Sequence, residues 1–177
     1  MTAFKTVSIF CLIVLILGCE TQPKVKKTKQ DKEAVQTANQ LLDRWHKAAA
    51  EADYDVYFGQ MTDSAVFIGT DASENWTKQA FQEYAKPHFD KGKAWTFKVL
   101  ERNIYQGESV IWFDELLDTQ MGLCRGSGVL RLEDDQWKVA HYVLSVTVPN
   151  EEIKGVVTLK QTSDSLLKAK MPKRVKN

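Results

Sequence analysis

The sequence contains few cysteines and histidines, and this scarcity argues against several kinds of site. Its 177 residues include three histidines, in separate segments, and three cysteines, Cys11, Cys19 and Cys124. Their spacing matches no zinc-binding pattern and cannot build a disulfide framework, so we predict no metal site. The sequence also lacks the HExxH, GxSxG, P-loop and dinucleotide-binding glycine motifs. We therefore predict no cofactor.

The sequence also lacks an excess of positive or negative charge. The formal net charge is +1 at pH 7, which argues against a nucleic-acid-binding domain. Much of the positive charge lies at the two ends, in ETQPKVKKTKQDK and KAKMPKRVKN. The first of these segments has too few large apolar residues to fold. We interpret residues 19–32 as a flexible basic tether and residues 161–177 as a basic tail.

The longest apolar run lies at the N-terminus, in MTAFKTVSIFCLIVLILGC. The run from Val7 to Leu17 is too short to span a bilayer and is typical of a secretory signal. It ends in ILGC, which resembles the bacterial lipobox, where the cysteine becomes lipid-modified. We therefore predict a signal peptide at residues 1–18 and a lipid anchor at Cys19 in the bacterial cell envelope. Glu20 is not the aspartate of inner-membrane retention, which favours the outer membrane, facing the periplasm. The alternative is an ordinary signal peptide with a chance cysteine.

Between the two ends, the spacing of apolar residues changes at Gly92. From Glu33 to Glu51 they recur every three or four residues, which predicts an amphipathic helix. DYDVYFGQM predicts a short helix or turn, AVFIG a short strand, and KQAFQEYAKPHF a helix capped by Thr77. Four strand-like runs with short connections follow, AWTFKVLERNIY, SVIWFDELLDTQM, CRGSGVLRLE and QWKVAHYVLSVTV. Helices ahead of an antiparallel meander predict one α+β domain over residues 33–160.

This order of elements resembles the nuclear transport factor 2-like superfamily, and local motifs resemble its SnoaL-like branch. The motifs are FIGTDASENW, WTKQAFQEYAKPHF, WFDE, RGSGVL and WKVAHYVLSVTVPN. The resemblance covers about residues 33–158. It implies a cone-shaped α+β barrel with N-terminal helices packed in the concave face of a curved antiparallel sheet. It also implies an internal cavity and a homodimer formed through the outer face of the sheet. Enzymes, carriers and assembly domains share this shape, so the fold alone does not choose among them.

Aromatic and ionisable side chains on these elements supply candidate site residues, because a mostly apolar cavity with a few polar groups suits a small molecule. We predict that the cavity is lined by Tyr57, Trp76, Tyr84, Trp112, Asp114, Arg125 and His141. Asp114 and His141 would act as acid–base groups. Arg125 would bind an anionic group or pair with Asp114. Strand alternation separates Asp114 from Glu115 but leaves open which of the two faces inward. We expect Glu115 to be solvated and the glycines of RGSGV to allow a bulge or strong curvature.

Three functions are compatible with the sequence. The leading hypothesis is a membrane-anchored, dimeric module that binds a small, largely apolar ligand in its cavity. The second is a cofactor-independent isomerase, cyclase or hydratase-like enzyme that uses Asp114 or His141. The third is a dimeric scaffold whose cavity is incidental. Binding leads because the expected shape supports it while the sequence contains no catalytic motif.

Overall fold

The computed structural model describes residues 29–171. The predicted signal peptide, the predicted lipidation site Cys19 and most of the predicted tether lie outside this range. Within it, no helix combines the length and apolar composition that crossing a membrane requires.

Three helices precede the four long strands, as the periodicity predicts. They are α1 (Lys29–Ala50), α2 (Tyr54–Gly59) and α3 (Lys78–Phe89). The buried stripe of α1 includes Ala38, Leu41, Leu42, Trp45 and Ala49. The Oγ1 atom of Thr77 accepts a hydrogen bond from the backbone N–H of Ala80 at 3.3 Å, so the predicted cap of α3 is confirmed.

The sheet has six strands in the order β2-β1-β6-β5-β4-β3. The strands are β1 (Met61–Ile68), β2 (Asn75–Thr77), β3 (Phe97–Gln106), β4 (Val110–Thr119), β5 (Gly122–Glu133) and β6 (Gln136–Val146). Neighbours are antiparallel except β1 and β6, which pair in parallel. The N-terminal helices pack in the concave face of this curved sheet, which confirms the predicted α+β cone. The sequence did not predict the three-residue strand β2, because it lies in a polar segment.

The core fills the space between the helices and the concave face of the sheet. In β4 the side chains of Ile111, Phe113, Glu115 and Leu117 are buried, while the residues between them are partly or fully exposed. The same alternation continues across β5 and β6, where Leu130, Tyr142 and Leu144 are buried. The concave face is therefore defined by these buried positions, and the convex face by the residues between them.

A last helix, α4 (Ile153–Lys170), follows a short 3-10 turn at Asn150–Glu152. None of its residues is buried, and Leu159 is 87% exposed. The sequence predicted a basic tail over residues 161–177 and did not predict this helix, because its apolar residues form no stripe that the domain covers. Helix α4 therefore extends the chain without adding to the core.

Candidate functional site

A pocket opens at one end of the cone, between the β1–β2 connection, helix α3 and the β4–β5 turn. Its volume is about 150 Å³, the size of an engineered apolar cavity that binds benzene. Six of its twelve lining residues are aromatic, namely Phe67, Trp76, Phe81, Tyr84, Trp95 and Phe97. The polar lining residues include Thr70, Glu74 and Gln120. The pocket is therefore an aromatic chamber with a few polar groups.

Strand pairing and helix periodicity together position the aromatic wall. Trp76 of β2 lies opposite Phe67 of β1, and Phe81 and Tyr84 are three residues apart in α3, so they share one helix face. The Trp76 and Tyr84 rings stack with centroids 4.6 Å apart, and those of Phe67 and Phe81 with centroids 4.0 Å apart. Trp95 stacks on Phe81 at 5.7 Å. Each ring is thus held in place by its neighbours.

Glu74 supplies the one carboxylate of the pocket lining. Its Oε2 atom accepts a hydrogen bond from the backbone N–H of Asp71 at 3.1 Å. The carboxylate also lies directly against Gly69, where an added Cβ atom would overlap Glu74 Oε2. The absence of a side chain at Gly69 therefore makes room for the Glu74 carboxylate.

A second polar cluster lies deeper, between α1 and the sheet. Glu115 is fully buried, and its Oε1 atom lies 2.9 Å from His46 Nε2. Arg102 donates from Nε to Glu115 Oε2 at 2.7 Å and from Nη1 to Asp43 at 2.8 Å. The Tyr142 hydroxyl donates to Glu115 Oε1 at 3.4 Å. This cluster links α1 to β3, β4 and β6.

Opposing effects set the ionisation of this cluster. Burial raises the pKa of the Glu115 carboxyl, but the hydrogen bond and charge of His46, together with Arg102, outweigh burial and hold that pKa below its usual 4.5. Burial, together with the charge of Glu115, raises the pKa of Tyr142 well above 10. Glu115 is therefore an ionised carboxylate surrounded by donors, which makes it a poor proton acceptor. Phe97 contacts His46 edge-on at 5.6 Å between ring centroids and also lines the pocket, so it lies between the cluster and the pocket.

The predicted lining residues fall into different places. Trp76 and Tyr84 line the pocket, as predicted. Tyr57 does not, because its ring is 1% exposed and stacks on Trp45 in the core with centroids 5.1 Å apart. Burial raises the pKa of the Tyr57 hydroxyl well above 10, so we assign this residue to packing.

The other four predicted residues, Trp112, Asp114, Arg125 and His141, lie on the convex face. Trp112 is 46% exposed. Arg125 Nη1 lies 3.5 Å from Asp114 Oδ1 in a partly exposed pair, and His141 is opposite Val129 in the sheet. Their predicted orientation into the cone is therefore wrong. Both faces of β4 carry large apolar residues, so alternation could not identify the inner face.

The expectation that Glu115 is solvated is also wrong, because Glu115 occupies the concave position that Asp114 was predicted to take. Its partners, His46 and Arg102, were not predicted from the sequence. A signal for His46 was present, because it lies four residues after Leu42 on the apolar stripe of α1. Within residues 29–171, no group of three or more His, Cys, Asp or Glu side chains is arranged to hold a metal ion.

Comparison with solved structures shows the same fold in proteins of low sequence identity. An NTF2-like protein of unknown function from Pseudomonas putida is 17% identical, with 68% of this chain and 91% of that chain covered and a TM-score of 0.58. A proposed dehydratase of the NTF2-like family from Streptomyces avermitilis is 11% identical, with 67% and 99% covered and a TM-score of 0.57. A proposed calcium/calmodulin-dependent kinase II association domain from Exiguobacterium sibiricum is 12% identical, with 66% and 95% covered and a TM-score of 0.53.

Comparison of the sequence identifies a family, whereas the solved structures show only the fold. No curated protein matches this chain significantly. The SnoaL-like domain family matches residues 38–149, which is more than half of the chain and includes the whole sheet, α2, α3 and the part of α1 from Ala38 onward. This chain therefore belongs to the SnoaL-like domain family.

Proposed function

We propose that this protein is a membrane-anchored, dimeric binding module that holds a small, largely apolar ligand in the aromatic pocket. The observation that carries the proposal is the set of six aromatic rings around a pocket of about 150 Å³. Such walls favour a compact apolar group, and the few polar groups at the rim would orient it. The volume limits the enclosed part of the ligand to about one six-membered ring.

An acid–base enzyme is the weaker hypothesis. Asp114 and His141 lie on the convex face, and the donors around Glu115 leave it unsuited to accept a proton. The similarity to a proposed dehydratase concerns the fold alone. Binding therefore remains the better supported function.

The pocket can be tested with Tyr84→Ala. Tyr84 is 46% exposed, so its removal opens the pocket wall with little loss of core. We expect indole to raise the melting temperature of the wild-type protein, because a ligand that binds only the folded state stabilises it. In Tyr84→Ala the affinity derived from this shift should fall by about tenfold, since an aromatic contact and its buried area are lost.

Leu159→Ala is the control, because Leu159 is 87% exposed in α4 and belongs neither to the pocket lining nor to the proposed interface. Its indole response, measured against its own melting temperature, should equal that of the wild type. Equal responses in Tyr84→Ala and the wild type would show that indole binds elsewhere. A wild-type protein that is stabilised neither by indole nor by any other small apolar compound would favour the scaffold hypothesis over the binding function.

We propose that a second copy of the chain covers the convex face. Tyr105 and Trp112 stack there with ring centroids 6.0 Å apart, and Leu123 lies further along the same face. All three expose between 45% and 49% of their surface, and exposed apolar groups on one face favour association. Trp112→Glu should convert a dimer into a monomer in sedimentation equilibrium at micromolar concentration. A dimer that survives this change, or a monomeric wild type, would argue against this interface.

The lipid anchor at Cys19 and the outer-membrane location remain proposals from the sequence. Labelling of bacterial cells with palmitate should mark the wild-type protein and Cys11→Ala but not Cys19→Ala. Separation of the membranes by density would then test the location. Label that persists in Cys19→Ala would contradict this anchor.

A further inference from the structure

We propose that the pocket selects an organic cation, a small amine or quaternary ammonium group, with Glu74 as its counter-charge. This inference rests on the proposed binding function and names the chemical class of the ligand. It follows from the combination of aromatic rings with one carboxylate in the same chamber.

The charge of the pocket is the first argument. Glu74 is the one charged residue among the twelve that line the pocket, since these include no other Glu and no Asp, Lys, Arg or His. Among the described residues, none of the ion pairs involves Glu74. Its carboxylate accepts a hydrogen bond from the Asp71 backbone at Oε2. An anionic ligand would therefore meet an unneutralised negative charge, whereas a cation would neutralise it.

The aromatic lining is the second argument. The electron-rich faces of aromatic rings attract cations, tryptophan most strongly, and aromatic cages bind quaternary ammonium groups in this way. Trp76, Trp95 and Tyr84 line the pocket together with Glu74. A trimethylammonium group also presents methyl groups to the walls, so it satisfies the apolar lining and the carboxylate at once.

The small number of oxygen ligands distinguishes an organic cation from a metal ion. Calcium binds six to eight oxygens and magnesium six, usually with carboxylates among them. The pocket offers one carboxylate, and within residues 29–171 no cluster of potential ligands is arranged for a metal. An organic cation requires only the Glu74 carboxylate and the aromatic side chains that line the pocket.

Choline and 3,3-dimethylbutan-1-ol form a matched pair of probes, because they share one shape and differ by the replacement of N⁺ with carbon. We expect calorimetric titration to show that the wild-type protein binds choline about tenfold more tightly than the neutral alcohol. Glu74→Gln should remove most of this preference and leave the affinity for the alcohol unchanged. Glu108→Gln, in the exposed β3–β4 turn, should behave as the wild type.

Gly69→Ala provides a second variant that keeps the charge but moves it. The new methyl group would overlap the Glu74 carboxylate and displace it, so the preference for choline should fall although Glu74 is still present. Thermal unfolding of both variants would establish that they fold. A preference that persists in Glu74→Gln would overturn the role of Glu74.

The outcomes separate this inference from the proposed function. Equal binding of choline and the alcohol would overturn selection for a cation while the pocket remained a binding site. Indole binding without choline binding would have the same meaning. A protein that binds none of the three probes would overturn both proposals.

Discussion

Replacement of Glu115 by alanine is expected to lower the free energy of unfolding by about 3–5 kcal/mol. The substitution leaves Arg102, whose side chain is 6% exposed, without its main buried partner. It also removes the acceptor for His46 and for the Tyr142 hydroxyl. Urea unfolding at neutral pH would measure the loss.

Glu108→Ala is the control, since this glutamate is exposed in the β3–β4 turn, and we expect a change within about 0.5 kcal/mol. Glu115→Gln keeps the shape of the side chain but removes its charge, so its loss in free energy of unfolding should lie between those of Glu108→Ala and Glu115→Ala. A loss below about 1 kcal/mol in Glu115→Ala would contradict the assignment of a buried ionic cluster to Glu115.

The same residue gives stability a defined dependence on pH. The pKa of Glu115 is lower in the folded protein than its usual 4.5, so the folded state binds fewer protons than the unfolded state between the two values. The stabilisation is therefore complete above about pH 4.5 and is lost as the pH falls through the folded pKa. Urea unfolding from about pH 3 to 7 should show a steeper acid loss in the wild type than in Glu115→Gln. Parallel curves would show that Glu115 is not held ionised.

Gly128→Ala is the second change with a large expected effect, a loss of about 1–3 kcal/mol or more. The added Cβ atom would lie 2.5 Å from the His141 carbonyl oxygen and 2.7 Å from the ring of Phe113. A strand backbone and a buried ring have little room to move. Thermal unfolding would show the loss as a lower melting temperature.

Gly59→Ala is the matched control, because a Cβ atom at Gly59 meets no atom within 4 Å. We expect it to be neutral or slightly stabilising, since alanine favours the helix. If both substitutions had the same small effect, the close packing around Gly128 would not limit stability.

The fold was predictable because local periodicity reports burial. Apolar spacing predicted α1, and short connections predicted the meander β3 to β6, all of which the structure confirms. The parallel pairing of β1 with β6 was not predicted, because it joins segments that are far apart in sequence. Strand β2 forms in a polar segment, and its exposed ends gave no apolar signal.

The candidate site was predictable only in part. The aromatic residues Trp76 and Tyr84 line the pocket as predicted, whereas the predicted residues of β4, β5 and β6 were placed on the wrong face. A shift of one residue in β4 decides whether Asp114 or Glu115 points into the core. Because both faces of β4 carry large apolar residues, the sequence did not show which face is buried. The glycines of RGSGV were expected to allow curvature or a bulge. The structure adds that Gly126 and Gly128 make room for Tyr142 and Phe113.

Helix α4 is expected to unfold locally, independently of the rest of the domain. Most of the stability of a helix in a protein comes from packing, and none of the eighteen residues of α4 is buried. Its amide protons should therefore exchange with solvent through local unfolding, whereas those of β4 to β6 should exchange only when the whole domain unfolds. Within residues 29–171, we therefore expect slow hydrogen exchange in the sheet and fast exchange in α4, with the change near residue 149.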